Sequence, residues 1–529
     1  MTGLWYLRPN IMAEPLVDSW YAWTHLIPPA TAARNFAERY LRILESYLEC
    51  PEAHDAAVKD PTLLGGPYMD FSRNRENEVR ALRDKMLIER KSLIELSRSI
   101  DDLDGTLRTK AKGYGVEGLY AEVPPMLQGF VEIVYDLNNQ ASFRLIEPLL
   151  YRSKLYDDSF QSVMLAEIGS DDRPFVMSTP RIDVGEALHL RFPFASGRYD
   201  ELFLMKRQPR SFETMREMLE LSADDVTLFR RFLTTDPPLP YEKYSGPGVR
   251  WRYFGHACIL LETEGMSMLL DPVLSYTYEN GISRYTYEDL PDCIDFVLIT
   301  HNHQDHILFE TLLQLRHRIR TIIVPRNGGG TLQDPSLRLL LIQCGFRNVI
   351  ELAEMQAMDF SAGSITAIPF LGEHADLNVL SKTAYLVRVG HHKLMFLADS
   401  CNISPALYEH IHHAVGDVDA IFLGMECDGA PLSWLYGPLL TQRLERSKDH
   451  SRRLAGSNYE RAINIVEQFR CKEVYVYAMG QEPWLNYVMG IKYTEKSNPI
   501  IQSNRLIETC QAQGLTAERL FGEKEIFLS

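Results

Sequence analysis

Apolar and polar positions follow two different rhythms along this chain. Between residues 1 and 245, Val79, Leu82, Met86, Leu87 and Leu93 fall on one helical face with charges between them, which predicts a helix over 78–100. Shorter helices are expected at 32–47 and 211–221, and short strands at 131–135 and 201–205, so this half reads as mixed α/β. From residue 249 onward the strand signal takes over: 249–255, 259–263 and 266–270 follow one another, with a turn at Glu264-Gly265. Further strands are expected at 296–300, 321–325, 364–370, 384–389, 394–398, 420–424 and 473–477. They alternate with helices near 308–315, 337–343 and 459–469, a pattern that predicts two sheets flanked by helices.

The proline- and glycine-rich run from Thr234 to Gly248 excludes both helix and strand, and divides the chain into expected domains at 1–245 and 246–529. A length of 529 residues agrees with more than one core. The net charge of −16 disfavours a nucleic-acid partner, because basic clusters such as Arg316-His317-Arg318 are short and interrupted. The eight cysteines contain no Cys-x-x-Cys pair and are expected to be reduced core residues. The opening MTGLWYLRPNIMAEPL lacks a basic region followed by an apolar core, and no run approaches a membrane span. No signal peptide, no membrane partner and a cytoplasmic location are therefore expected.

Chemistry enters at Thr300-His301-Asn302-His303-Gln304-Asp305-His306, directly after the apolar run 296–299. A strand that ends in a turn can aim alternate side chains into one cleft. His301 and His303 then suit one metal, and Asp305 with His306 suits a neighbour, which makes the motif a candidate dinuclear site. Gly328-Gly329-Gly330 lacks the Lys and Ser/Thr of a phosphate loop and is expected to be a flexible loop. Residues 1–245 carry no repeat and no chemical motif, so support, oligomerisation or substrate docking is expected of them.

His-x-His-x-Asp-His at a strand end resembles the metallo-β-lactamase superfamily, whose αββα sandwich carries metals at one edge. That resemblance implies a third ligand within 368–376, where Glu373 and His374 both stand, and a bridging carboxylate at Asp399. It also implies a final histidine ahead of the helix near Tyr459, but Leu454-Ala455-Gly456-Ser457-Asn458 supplies none; His450, His412 and His413 are the weak substitutes. His256 and Asp271 occupy turns facing the metal edge in this superfamily and are expected to orient ligands. With Glu373 as ligand the set is His301, His303, His306, Asp305, Glu373 and Asp399, a balance that favours iron and oxygen chemistry. With His374 instead, the reading becomes a zinc-dependent hydrolase.

A large N-terminal domain followed by His-x-His-x-Asp-His, Gly-Glu-His-Ala-Asp and Ala-Asp-Ser resembles the non-haem di-iron β-hydroxylases of chloramphenicol biosynthesis across nearly the whole chain. The resemblance implies two Fe ions in an oxo-bridged cluster, with His301, His303 and Glu373 on one iron, Asp305 and His306 on the other, and Asp399 between them. Glu373 and Asp399 would then be the catalytic carboxylates, and His374 a supporting neighbour. It further implies O2 as co-substrate, an external electron donor such as an electron-transfer reductase, and a homodimer built by the N-terminal domain. The implied substrate is an aromatic amino acid resembling p-aminophenylalanine, held as a thioester on a nonribosomal peptide synthetase carrier domain.

Overall fold

A computed structural model of the chain describes residues 3–71, 73–182 and 185–529. Residues from 249 onward form two seven-stranded sheets. The first runs in the order Val349–Leu352, Ile319–Pro325, Ile294–Leu298, Met266–Leu270, Cys258–Thr263, Val249–Gly255, Lys524–Leu528. The second runs Ala357–Phe360, Gly363–Ile368, Ala384–Val389, His392–Phe396, Ala420–Gly424, Glu473–Tyr477, Thr516–Arg519. Each sheet joins an antiparallel meander to a parallel half, and the parallel strands are covered on both faces, which is why they read as unbroken apolar runs.

Between the sheets, Trp251 packs edge-on against Phe422 and Tyr475, with Tyr385 and Phe396 in the same core. Helices Pro405–Val415, Tyr459–Phe469 and Asn498–Ala512 cover the outer face of the second sheet. The first sheet is covered differently. Val297, Ile322 and Leu312 share one continuous core with Trp20, Leu44, Leu202 and Phe212, so the N-terminal half acts as part of the outer layer of the αββα sandwich. Every strand before residue 235 pairs only with others before 235, among the described residues.

Three expected elements differ. Residues 201–204 belong to a helix, Gly197–Leu204, that Met205 caps, rather than to a strand: the Ser196 hydroxyl caps its start, and Tyr199, Leu202 and Phe203 are buried on one helical face. The helix expected over 78–100 is two, Glu76–Glu89 and Lys91–Lys110, broken at Arg90. The buried Arg90 guanidinium bonds Asp18 at 2.7 Å and lies over the Phe160 ring, anchors that a continuous helix would not have revealed. The segment 32–47 is helical but carries a π-helical turn, Phe36–Tyr40.

All eight cysteines are unpaired, but Cys50 is exposed and Cys293 and Cys427 are half-buried, so the core expectation fails for these three. Among the described residues, no helix is long and apolar enough to cross a membrane.

Candidate metal centre

The site grows from five strand ends at one edge of the sandwich. His256 lies in the turn between Val249–Gly255 and Cys258–Thr263; Asp271 follows Met266–Leu270. The His301–His306 loop follows Ile294–Leu298, Glu373 follows Gly363–Ile368, and Asp399 follows His392–Phe396. The backbone is strained there. His256, Asp271, Glu373, Ala375, Asp376, Ala398 and Ala478 all have positive φ between 36° and 65°, at a cost of roughly 1–3 kcal/mol each in non-glycine residues. Gly424 is required as glycine, since a Cβ would lie 2.5 Å from Asp399 Oδ1.

These turns bring the expected ligands together. His301, His303 and Glu373 form one cluster with ligand atoms within 4.8 Å of one another, and His301, His306 and Asp399 form a second. Glu373 Oε1 lies 3.0 Å from His303 Nδ1, and Asp399 Oδ2 lies 2.8 Å from His306 Nε2 and 3.7 Å from His301 Nε2. Asp305 Oδ2 is 3.7 Å from His306 Nε2. His301 Nε2 and Asp399 Oδ1 are buried with no hydrogen-bond partner. An unsatisfied buried polar atom costs about 1–3 kcal/mol, which a cation held by both would remove. Three imidazoles and three carboxylates, mostly oxygen donors on the Asp305 side, fit iron.

Hydrogen bonds fix which nitrogens can bind metal. Thr300 Oγ1 donates to Asp271 Oδ2 at 2.6 Å, so it accepts from His301 Nδ1 at 3.0 Å and leaves His301 Nε2 as the ligand atom. Asp271 Oδ2 accepts from His306 Nδ1 at 2.8 Å, which frees His306 Nε2. The Gly480 backbone N–H donates to His256 Nδ1, so His256 carries its proton on Nε2 and donates it to Asp305, 3.1 Å away. His256 therefore orients Asp305 although it clusters with Asp305 and His306. Tyr436 supplies the most decisive constraint. Its hydroxyl meets His303 Nε2 at 3.1 Å and His374 Nδ1 at 2.6 Å but has one proton to give. If that proton goes to His374, His303 Nε2 donates to the tyrosine and His303 Nδ1 faces Glu373 as a ligand, while His374 Nε2 carries a hydrogen. The opposite polarity would make His374 the ligand and disqualify His303 Nδ1. His374 joins neither ligand cluster, although its Nε2, like that of His301, is buried without a hydrogen-bond partner.

The donor cluster is electrostatically divided. Burial, then Asp399, Asp305 and Glu426, push the Glu373 carboxyl well above its usual range. Burial and the neighbouring imidazoles push His301 well below its ordinary value and His303 down to about 4. For His306 the burial cost is outweighed by Asp399, Asp305 and Asp271, which raise it. For Asp305 burial is outweighed by His306 and His256, which hold it well below the carboxylate range. A pair of cations relieves the mutual repulsion of the carboxylates and releases protons as it binds.

Asp271→Asn keeps the shape of this carboxylate but removes its charge behind His306. An increase of about tenfold in the iron dissociation constant is expected, read by competition with a chelator.

Some expectations are not met. His412 and His413 lie on the helix Pro405–Val415, where His412 pairs with Asp417 at 2.6 Å, and His450 lies on Arg446–Ser451; none belongs to a ligand cluster. Where a final histidine was sought, Gly456 instead donates its N–H to Glu426 O at 2.7 Å, and Ser457 bonds Ser400 O. Sequence reading missed His25, a lone histidine in a segment with no motif. It stacks on Trp23 and meets Tyr436 edge-on, while Thr24 Oγ1 donates to Asn302 O at 2.8 Å inside the metal loop. Glu426, two residues beyond the strand Ala420–Gly424, is pushed up to about 7 by burial, Asp428 and Asp399.

Residues 6–237 match the N-terminal domain of diiron non-heme beta-hydroxylases, and residues 267–430 match the beta-lactamase superfamily domain. The chain is 39% identical to the 4-amino-L-phenylalanyl-[CmlP-peptidyl-carrier-protein] 3-hydroxylase of Streptomyces venezuelae, covering 97% of this chain and 98% of that protein. Its structure is similar to that of CmlA, a diiron beta-hydroxylase from Streptomyces venezuelae, with a TM-score of 0.94, 38% identity and the full length of both chains covered. A glutamate-to-aspartate variant of CmlA beta-hydroxylase gives a TM-score of 0.90 at 38% identity over 99% of this chain and 100% of that one.

Proposed function

This chain belongs to the family of diiron non-haem β-hydroxylases, and from that premise we propose that it hydroxylates the β-carbon of an aromatic aminoacyl group carried as a thioester on a nonribosomal peptide synthetase. The observation that carries the reading is the carboxylate-rich donor set His301, His303, Glu373, Asp305, His306 and Asp399. Two irons bound there supply activation of O2, with one oxygen atom inserted into a C–H bond, the other leaving as water, and two electrons drawn from an external reductase.

The residues of the chain do the rest. His301 through Nε2, His303 through Nδ1 and Glu373 would hold one iron, Asp305 and His306 would hold the other, and Asp399 would serve both. Asp271 and Thr300 keep His306 and His301 in their ligating tautomers, and His256 steadies Asp305. Tyr436 holds the His303 proton at Nε2 and the His374 proton away from Nδ1, so His374 serves as a neighbour rather than a ligand. The site is largely buried: His301 and His306 are fully buried, and Glu373 is 9% exposed. Water exclusion strengthens every charge interaction and keeps oxidant from being wasted. The N-terminal half closes this wall through Thr24 and His25, which gives that half a role in shaping the site. A second copy of the chain is its proposed partner in solution, and the unpaired cysteines support a cytoplasmic location.

Family membership speaks against the zinc-hydrolase alternative, and Glu373 beside His303 Nδ1 supports the same reading. Carrier tethering is the part tested directly. Turnover of carrier-loaded p-aminophenylalanine is expected to exceed that of the free amino acid by at least about tenfold, since binding of the carrier contributes to assembling the site. The readout is gain of one oxygen by intact-carrier mass spectrometry. Equal turnover of both substrates would remove the carrier from the reaction.

A further inference from the structure

The helix Phe309–Leu315 begins three residues after the metal loop, and beyond its far end lies a second cleft, of about 460 Å³. That volume is in the range of small-molecule sites. Four cationic side chains line it, Arg8, Lys206, Arg207 and Arg318, against two acidic ones, Glu288 and Asp236.

Arg8 stands 3.9 Å from Glu167 and Arg207 is paired with Asp292, but the other two cations, Lys206 and Arg318, are matched by no carboxylate among the described residues. Arg318 is 5% exposed, its Nη1 has no hydrogen-bond partner, and its Nε points to the imidazole of His317 at 3.4 Å. Lys206 Nζ donates to the neutral Gln314 Oε1 at 2.7 Å and lies over the Tyr287 ring. Neither forms a salt bridge among the described residues. Arg207 donates to the carbonyls of Leu239 and Leu290 and stands 3.6 Å from Asp292. The two acids are engaged locally, Glu288 by the Thr277 hydroxyl at 2.8 Å and Asp236 by the Thr234 hydroxyl at 3.2 Å. The excess positive charge is visible next door: burial, then Arg318, Lys206 and Arg316, push His317 down to about 3, and burial with Arg318 pushes Lys206 down to about 7.

We propose that this cleft binds a phosphate dianion, as the free ion or as the monoester of a small molecule whose apolar part rests on the Pro237-Pro238-Leu239 wall. A dianion gives Arg318 and Lys206, the two cations without a carboxylate partner, the charge-assisted acceptor they lack. The site joins the first strand region, the linker after residue 233 and the start of the strand Ile319–Pro325, so a bound phosphate ties the linker to both halves of the chain.

The test is calorimetric titration of the iron-loaded protein with inorganic phosphate and, separately, with phenyl phosphate, at constant ionic strength. Saturable binding is expected, weakened at least about tenfold in both Arg318→Gln and Lys206→Met, with iron content and visible absorption unchanged. Slower amide exchange over residues 234–239 on binding is the second expected readout, and it does not depend on either variant folding well. Tighter binding of phenyl phosphate assigns a phosphomonoester, and tighter binding of inorganic phosphate assigns the free ion. No saturable binding, or binding that perturbs the iron absorption and persists in both variants, overturns the proposal.

Discussion

Replacing Glu373 by alanine is expected to strip iron from the protein and lower hydroxylation at least about a thousandfold, whereas His374→Ala keeps about two irons per chain. The two residues are adjacent, and a histidine at this point would serve a zinc hydrolase as well as a glutamate serves an oxygenase. What separates them is geometry. Glu373 Oε1 sits 3.0 Å from His303 Nδ1, whereas His374 Nδ1 is taken by the Tyr436 hydroxyl at 2.6 Å. Glu373 also sits at φ 65°, strain that turns its carboxylate into the cluster. Metal analysis with a visible spectrum on both variants decides the matter, because zinc is colourless and a ferric pair absorbs. A Glu373→Ala protein that kept both irons, beside a His374→Ala protein that lost them, would reverse the assignment.

The second large effect is expected at Glu14. This glutamate is 1% exposed and sits between Arg181 Nε at 2.5 Å and Arg173 Nη2 at 2.6 Å; Arg173 also reaches Glu310 at 2.8 Å on the helix that follows the metal loop. Glu14→Gln leaves two buried guanidinium groups facing a neutral amide. A loss of about 3–5 kcal/mol is expected, read as a lower denaturant midpoint.

The same pair sets an acid limit. Burial alone would raise the Glu14 carboxyl, but the two arginines outweigh it and hold it at about 2, against 4.5 for the free group. A folded-state value below the unfolded one means stability that is fully present above pH 4.5 and is lost as pH falls from there toward 2. The contribution is on the order of 3 kcal/mol. The variant should therefore lose less stability than the unchanged protein across that window. An identical acid response in both would show that the pair is not what limits folding at low pH.

What the sequence determined by itself is local. The metal loop was legible because four ligands lie within six residues behind one apolar strand, so chain connectivity alone holds them together. The helix Tyr459–Phe469 was legible for a similar reason, since its amphipathic spacing and the Asn458 cap are both short-range signals. Residues 201–205 misled because the four-residue apolar run Leu202–Met205 suits strand and helix equally, and only packing of Tyr199, Leu202 and Phe203 onto one buried face decides between them. The tertiary structure alone decided the protonation pattern of the site. Gly480 fixes the His256 tautomer from 224 residues away, and Tyr436 chooses between His303 and His374 from more than 60 residues away. Thr24 reaches the metal loop across nearly 280 positions, and His25 meets Tyr436 across more than 400. Ligand identity is written in residue type and spacing, but which nitrogen carries a proton depends on partners that meet only when the sheets and the N-terminal half pack together.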